Sequence, residues 1–143
     1  MTEIHPRLAT DCELLGRFPL CHLLLMNDSH YPWFILVPDR EGIREIYQLD
    51  DADRLQLWRE SCTLSEYLMD SFKGDKLNVA ALGNQVPQLH LHHIVRYQSD
   101  PAWPGPVWGK HPPLAYTPEA LRGLCSQIAA AGLEDFTPAE AGD

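Results

Sequence analysis

The residues best suited to chemistry form a short run near the middle of the chain, where histidines alternate with leucines. The run consists of Gln88, Leu89, His90, Leu91, His92 and His93. Its alternation predicts a β-strand, on which successive side chains point to opposite faces. Gln88, His90 and His92 would then share one face. Because imidazole can be a nucleophile, a proton carrier or a metal ligand near neutral pH, this face is the candidate site.

The opposite face of the predicted strand is expected to belong to the core. Leu89 and Leu91 are apolar, and His93 shares their face, so we predict that His93 packs and forms hydrogen bonds there. A single histidine on a strand is usually structural. Two histidines on the other face, after an amide-rich loop, favour a functional site.

A loop rich in glycine and amide residues precedes this run. It contains Gly83, Asn84 and Gln85, followed by Val86 and Pro87. Glycine permits backbone conformations that turn N–H groups toward one point, and amide side chains add further donors. The composition of the loop therefore favours the binding of an anion.

The charge balance restricts the classes of partner. The 143 residues carry 20 acidic and 11 basic side chains, for a net charge of −9. Duplex nucleic acid is bound through basic patches, so we expect no nucleic-acid partner. A small anionic nucleotide is compatible with this charge, because backbone N–H groups and a few polar side chains can hold it. No apolar run approaches the roughly 18 residues of a membrane span, so no membrane partner is expected.

The four cysteines indicate a reducing compartment. Cys12, Cys21, Cys62 and Cys125 are widely spaced and form no C-x-x-C pair. A disulfide framework is not expected, and reduced thiols in a cytoplasmic protein are the better interpretation. We expect Cys62 and Cys125 to pack in helix cores.

The order of predicted elements indicates an α+β fold with a mostly antiparallel sheet. Strands are predicted over 13–18, 20–26, 33–37 and 76–82, in addition to the histidine run. A long helix begins after its N-cap, Asp50, and ends at Lys73 and Gly74. Its apolar side is predicted to consist of Leu55, Trp58, Cys62, Leu68, Met69 and Phe72.

We expect a single domain with its core at about 13–100. A stiff segment rich in proline and tryptophan follows over 101–116. A C-terminal helix is predicted at about 118–131, with Thr117 as its N-cap. Residues from Phe136 onward are expected to be frayed.

The stretch from Gly83 to Arg96 resembles the histidine-triad (HIT) family of nucleotide hydrolases and transferases. The family motif alternates three histidines with apolar residues after a loop similar to Gly-Gln-Ser/Thr. His90 falls at the middle histidine, which is the family's nucleophile, and His92 falls at the third. Gln88 replaces the first histidine, as in a bacterial subgroup that approaches the motif with Val-Pro-Gln-Leu-His. The resemblance implies a five-stranded antiparallel sheet and a homodimer, in which Trp103 and Trp108 either reach the partner's site or pack on their own subunit.

The resemblance also assigns roles to residues outside the motif. Asn84 and Gln85 match phosphate-contacting positions, and Asn78 matches an asparagine near the phosphate. Asn27 and Asp28 follow an apolar strand, at positions where the family contacts ribose. A turn held by their own hydrogen bonds explains these two residues equally well. Trp33 stands where many members carry another histidine.

These roles imply a hydrolase or transferase that attacks the α-phosphate of a purine nucleotide derivative through a covalent nucleotidyl-histidine on His90. Dinucleoside polyphosphates, phosphoramidates and adenylylated conjugates all fit, and no cofactor is expected. Because Gln88 and Trp33 replace family histidines, a low-activity nucleotide-binding regulatory protein is the alternative. A metal protein that uses His90, His92 and His30 ranks third.

Overall fold

A six-stranded antiparallel sheet forms the centre of the computed structural model, which describes residues 2–140. Its strands are β1 (Cys12–Arg17), β2 (Cys21–Met26), β3 (Trp33–Pro38), β4 (Lys76–Ala80), β5 (Leu91–Arg96) and β6 (Thr137–Pro138). The spatial order is β4-β5-β3-β2-β1-β6, so the histidine strand β5 lies between β3 and the edge strand β4. The predicted α+β fold is confirmed, with one strand more than the five expected.

The part of the chain that the structure describes also contains three α-helices: α1 (Pro6–Asp11), α2 (Asp51–Phe72) and α3 (Pro118–Ala129). Asp50 caps α2 by accepting a hydrogen bond from the Asp53 backbone N–H, and Thr117 caps α3 in the same way through Ala120. Both caps were predicted from the sequence. Within the described residues, no helix has the length and apolar character that crossing a bilayer requires.

The buried side of α2 differs from the prediction. Leu55 and Trp58 are 63% and 47% exposed, and Cys62 is exposed as well. The buried residues are Leu57, Glu60, Ser61, Leu64 and Leu68. Two of them are polar because they satisfy groups inside the fold: the Glu60 carboxylate accepts hydrogen bonds from two backbone N–H groups at the start of β2, and Ser61 bonds to His93.

Residues 136–140 also differ from the prediction, because they are ordered against β1, while residues 141–143 lie outside the described part of the chain. Thr137 and Pro138 pair with β1 as β6, and the ring of Phe136 lies 5.0 Å from that of Phe18. Gly16 makes this pairing possible. A Cβ atom there would collide with the Thr137 carbonyl oxygen, and the φ of Gly16 is +150°. Tertiary pairing therefore overrides the tendency of chain ends to fray.

Candidate active site

His90 and His92 lie together in a buried chamber at the start of β5. Their ring centroids are 4.9 Å apart with planes at 67°, and the residues are only 6% and 4% exposed. The chamber has a volume of about 330 Å³, and the loop residues Gly83, Asn84 and Gln85 line it. The structure thus brings together six of the residues predicted from the sequence, because Trp33 lines the chamber as well.

The hydrogen bond that His90 forms through Nδ1 leaves the lone pair of its Nε2 available. The Nδ1–H of His90 donates to the backbone carbonyl of Gln88 at 2.7 Å, since a carbonyl can only accept. Nε2 therefore carries the lone pair. Burial lowers the pKa of His90 below its ordinary value, and His5 adds to the shift, while the bond to Gln88 opposes it. His90 is consequently a neutral imidazole with a bare Nε2 at neutral pH.

His92 has the opposite tautomer. The indole N–H of Trp33 donates to Nδ1 of His92 at 2.9 Å, so the proton of the neutral ring must lie on Nε2. Burial, together with the neighbouring His90 and His93, lowers the pKa of His92 to about 3. Trp33, which the resemblance aligns with a histidine of the family, lines the chamber and sets the proton position on His92.

His93 lies on the opposite face of β5, as predicted. It is fully buried, its Nδ1 donates to the Leu91 carbonyl at 3.0 Å, and its Nε2 lies 2.7 Å from the Ser61 hydroxyl on α2. Since Nδ1 carries the proton, Ser61 donates to Nε2. His93 therefore links β5 to α2 and takes no part in the chamber.

Gln88 does not reach the chamber, although it was predicted to share the face of His90 and His92. Regular pairing of β5 begins only at Leu91, so strict alternation does not extend back to Gln88. Its carboxamide instead holds the N-terminal segment: Oε1 accepts from the His5 backbone N–H at 2.8 Å, and Nε2 donates to the Glu3 carbonyl at 3.0 Å.

Asn78 also lies apart from the chamber. Its Oδ1 accepts a hydrogen bond from the Arg96 guanidinium at 2.7 Å. Arg96 is 2% exposed, and it forms a bidentate pair with Asp100 and donates to the Gly105 carbonyl. The oxygen of Asn78 thus supports a buried arginine network.

A second chamber of about 520 Å³ adjoins the first. Six residues line both chambers, which therefore lie side by side and are together called the cleft: Arg7, Asp11, Met26, Trp33, Trp108 and Gly109. Asn27 and Asp28 line the second chamber. Asp28 also forms the alternative turn bond that the sequence suggested, because its Oδ1 accepts from the His30 backbone N–H. Asn27 does not, since its Oδ1 accepts from the backbone N–H of the distant Tyr116.

The described residues contain one cluster with metal-ligand chemistry, and it lies away from the two chamber histidines. Asp28, His30 and His111 offer atoms within 4.8 Å of one another. Hydrogen bonds already occupy this cluster: His30 Nδ1 donates to Asp28 at 2.6 Å, and the Tyr31 hydroxyl donates to His111 Nε2 at 2.8 Å. The third-ranked metal alternative used His30 beside His90 and His92, whereas the structure groups His30 with Asp28 and His111.

The sequence analysis missed one part of the cleft, helix α1, and left the place of another part, Trp108, open between two alternatives. Helix α1 contributes Arg7 and Asp11, and the signal for it was present, since His5 precedes a proline in the manner of an N-cap. Trp108 closes the cleft from the proline-rich segment. Its ring lies 5.1 Å from His92 and 5.9 Å from Trp33, nearly perpendicular to both, so it packs on its own subunit.

Comparisons with known proteins agree with this geometry. The sequence model of the HIT domain matches residues 7–99. A histidine triad protein from Marinobacter aquaeolei VT8 is 56% identical, with a TM-score of 0.91 over 96% of this chain and 99% of that chain. Histidine triad proteins from Bradyrhizobium japonicum and Sinorhizobium meliloti 1021 are 44% and 39% identical, each with a TM-score of 0.86 over 88% of this chain and 94% and 93% of theirs. No curated protein matches the chain.

Proposed function

Since this chain belongs to the HIT family, we propose that it is a hydrolase or transferase that attacks the α-phosphate of a purine nucleotide derivative with His90. One observation carries the proposal. The chamber presents two neutral imidazoles in complementary tautomers, one with a bare Nε2 and one with an Nε2–H, beside an amide-rich loop. A nucleophile and a donor for the phosphoryl oxygens are the two groups that such a displacement needs.

The proposed reaction proceeds in two displacements. Nε2 of His90 attacks the α-phosphorus, a P–N bond forms, and the bond to the leaving group breaks with its electron pair. His90 keeps its Nδ1 proton, which the Gln88 carbonyl holds. Water or another acceptor then attacks phosphorus, loses a proton to solvent, and frees His90. The Nε2–H of His92 and donors of the 83–85 loop stabilise the phosphoryl oxygens throughout.

The second chamber is proposed to hold the nucleoside. Asn27 and Asp28 supply oxygens for ribose hydroxyls, while Met26, Trp33 and Trp108 supply an apolar wall for the base. The chemistry of the wall is suited to a planar purine.

The covalent step gives the test of this proposal. Rapid quench with an α-labelled nucleotide in chelator should trap label on His90, in a linkage that is acid-labile and stable in base, as phosphoramidates are. Peptide mapping identifies the residue. Label on another residue, or turnover that disappears in chelator and returns with zinc or magnesium, would contradict the mechanism.

The pH profile of kcat/KM should reflect the lowered pKa of His90. Protonated His90 has no lone pair on Nε2, so activity is lost as pH falls through the pKa of this group. Because burial lowers that pKa from 6.5, activity should stay constant through neutral pH and decline only below 6.5. Initial rates between pH 4.5 and 8.5 measure this. An acid limb centred above 6.5 would be inconsistent with a buried nucleophile.

A low-turnover nucleotide-binding protein is the second candidate, and one observation favours it. Neither residue that replaces a family histidine supplies a proton, because the indole of Trp33 does not ionise and the Gln88 carboxamide is bonded to the N-terminal segment. A leaving group would then depart without a general acid. Tight nucleotide binding combined with negligible turnover of a chromogenic phosphoramidate would select this candidate.

We also propose that the protein is a cytoplasmic homodimer. The cysteines are unpaired, which suits a reducing compartment. Leu55 and Trp58 on α2 and Val79 on the edge strand β4 are 63%, 47% and 40% exposed, and self-association would cover such apolar side chains. Light scattering at micromolar concentration should give twice the chain mass, and Trp58→Glu should shift it toward the monomer. A monomeric wild-type protein would refute the dimer.

A further inference from the structure

Gln88, the residue that replaces the first family histidine, holds the N-terminal segment next to the nucleophile His90. Both polar atoms of the Gln88 carboxamide bond to backbone groups of this segment, at Glu3 and His5. The backbone carbonyl of the same residue holds the Nδ1 proton of His90. Gln88 therefore connects the nucleophile to the segment that leads directly into α1.

Helix α1 presents Arg7 to the cleft. Arg7 lines both chambers, and among the described residues it is the only lysine or arginine that lines either. Its side chain is 58% exposed, and its Nε lies 3.8 Å from Asp11, a loose pair that leaves the guanidinium available to a ligand.

The charges of the cleft make this arginine necessary for a polyanion. Burial lowers the pKa values of His90 and His92, so both rings are neutral and neither adds positive charge. Asp11 and Asp28 line the cleft as well and repel phosphate. Neutral donors in the histidine chamber can serve one α-phosphate, whereas each additional phosphate brings charge that only Arg7 can neutralise, by bidentate hydrogen bonds.

We propose that Arg7 binds the phosphates beyond the α-phosphate, and that Gln88 is a positioning residue that holds Arg7 at the cleft. This inference rests on the proposed function and narrows its substrate class. Polyphosphate-linked nucleotides are preferred over phosphoramidates, whose leaving group carries no phosphate for Arg7 to bind.

Binding measurements test the role of Arg7 without requiring turnover. Calorimetry in chelator would compare AMP with α,β-methylene ATP, which resists cleavage at the α-phosphate. We expect the wild type to bind the triphosphate analogue at least tenfold more tightly, Arg7→Gln to bind both alike, and Arg7→Lys to keep part of the preference. Arg122→Gln, a matched change on the exposed face of α3, should behave as the wild type. An unchanged preference in Arg7→Gln would overturn the proposal.

A double-mutant cycle tests whether Gln88 acts through Arg7. Gln88→Met keeps the side-chain length but loses both hydrogen bonds, so it should also reduce the preference for the triphosphate analogue. The double variant should be no worse than the more affected single variant, because the two residues act in sequence. Additive losses would mean that Gln88 contacts phosphate itself, which contradicts the positioning role.

The outcomes separate this inference from the proposed function. The protein could prefer the triphosphate analogue through Arg7 and yet show no turnover. That result would support the arginine site and refute the proposed enzymatic function. Conversely, turnover with label on His90, together with a preference that does not depend on Arg7, would support the enzymatic function and refute the arginine site.

Discussion

His90→Ala is expected to reduce turnover by about 10³-fold or more, because the variant lacks the only proposed nucleophile. The fold should survive, since the side chain lines the chamber and its one hydrogen bond is to a backbone carbonyl. Steady-state rates on several nucleotides, together with the thermal midpoint, measure both effects. Retention of most activity on every nucleotide would show that the nucleophile is assigned wrongly.

His93→Ala is the matched control on the same strand. His93 lies on the core face, where it accepts from Ser61 and donates to Leu91. Its loss leaves a cavity and an unpaired buried hydroxyl, at a cost of about 1–3 kcal/mol in the free energy of unfolding for the hydroxyl alone. We therefore expect the two variants to differ in kind: one folded and inactive, the other less stable, with its nucleophile intact.

Asp100→Ala should be strongly destabilising, by about 3–5 kcal/mol in the free energy of unfolding. Arg96 and Asp100 are both 2% exposed at the side chain, and they form two hydrogen bonds of 2.8 and 3.0 Å. Removing the carboxylate leaves the guanidinium buried with half of its partners. The same carboxylate accepts from three backbone N–H groups that shape the start of the segment carrying Trp108.

Denaturant unfolding measures this loss, and Asp70→Ala on the exposed side of α2 is the control, with an expected change within about 0.5 kcal/mol. A loss of less than about 1 kcal/mol for Asp100→Ala would contradict a structural role for the pair.

Lowering the pH should reproduce this loss of stability in the wild-type protein. Burial opposes ionisation of Asp100, but bonds from Arg96 and the backbone outweigh it and lower the pKa to about 2. The stabilisation is therefore complete above pH 4 and is lost as pH falls toward 2.

Local patterns in the sequence determined the elements and the chemical core of the site. The alternation from Leu89 to Arg96 required a strand with two faces, and the structure has His92 and His93 on opposite faces of it. The caps at Asp50 and Thr117 were likewise predictable, because a cap is bonded to residues within one turn. The carbonyl acceptor that sets the tautomer of His90 likewise comes from the same stretch of chain, at Gln88.

The roles of polar residues with distant partners were decided only by the tertiary structure. Gln88 bonds to residues 83 and 85 positions away, and Asn78 bonds to Arg96. Neither therefore joins the chamber, where strand alternation placed Gln88 and the family resemblance placed Asn78. Glu60 and Ser61 occupy the buried side of α2 for the same reason. A hydrophobic pattern counts such residues as solvent-facing, but a polar group can be buried wherever the fold supplies its partner.

Arg7 and Trp108 show the same limit for the cleft itself. Neither belongs to a motif, and each reaches the histidines because a remote contact places its segment: Gln88 holds the segment before α1, and Asp100 holds the turn before Trp108. The sequence by itself determined which groups could perform the chemistry. The tertiary structure decided which charges and rings surround them, because long-range hydrogen bonds depend on how the whole chain packs, and short-range spacing does not encode that packing.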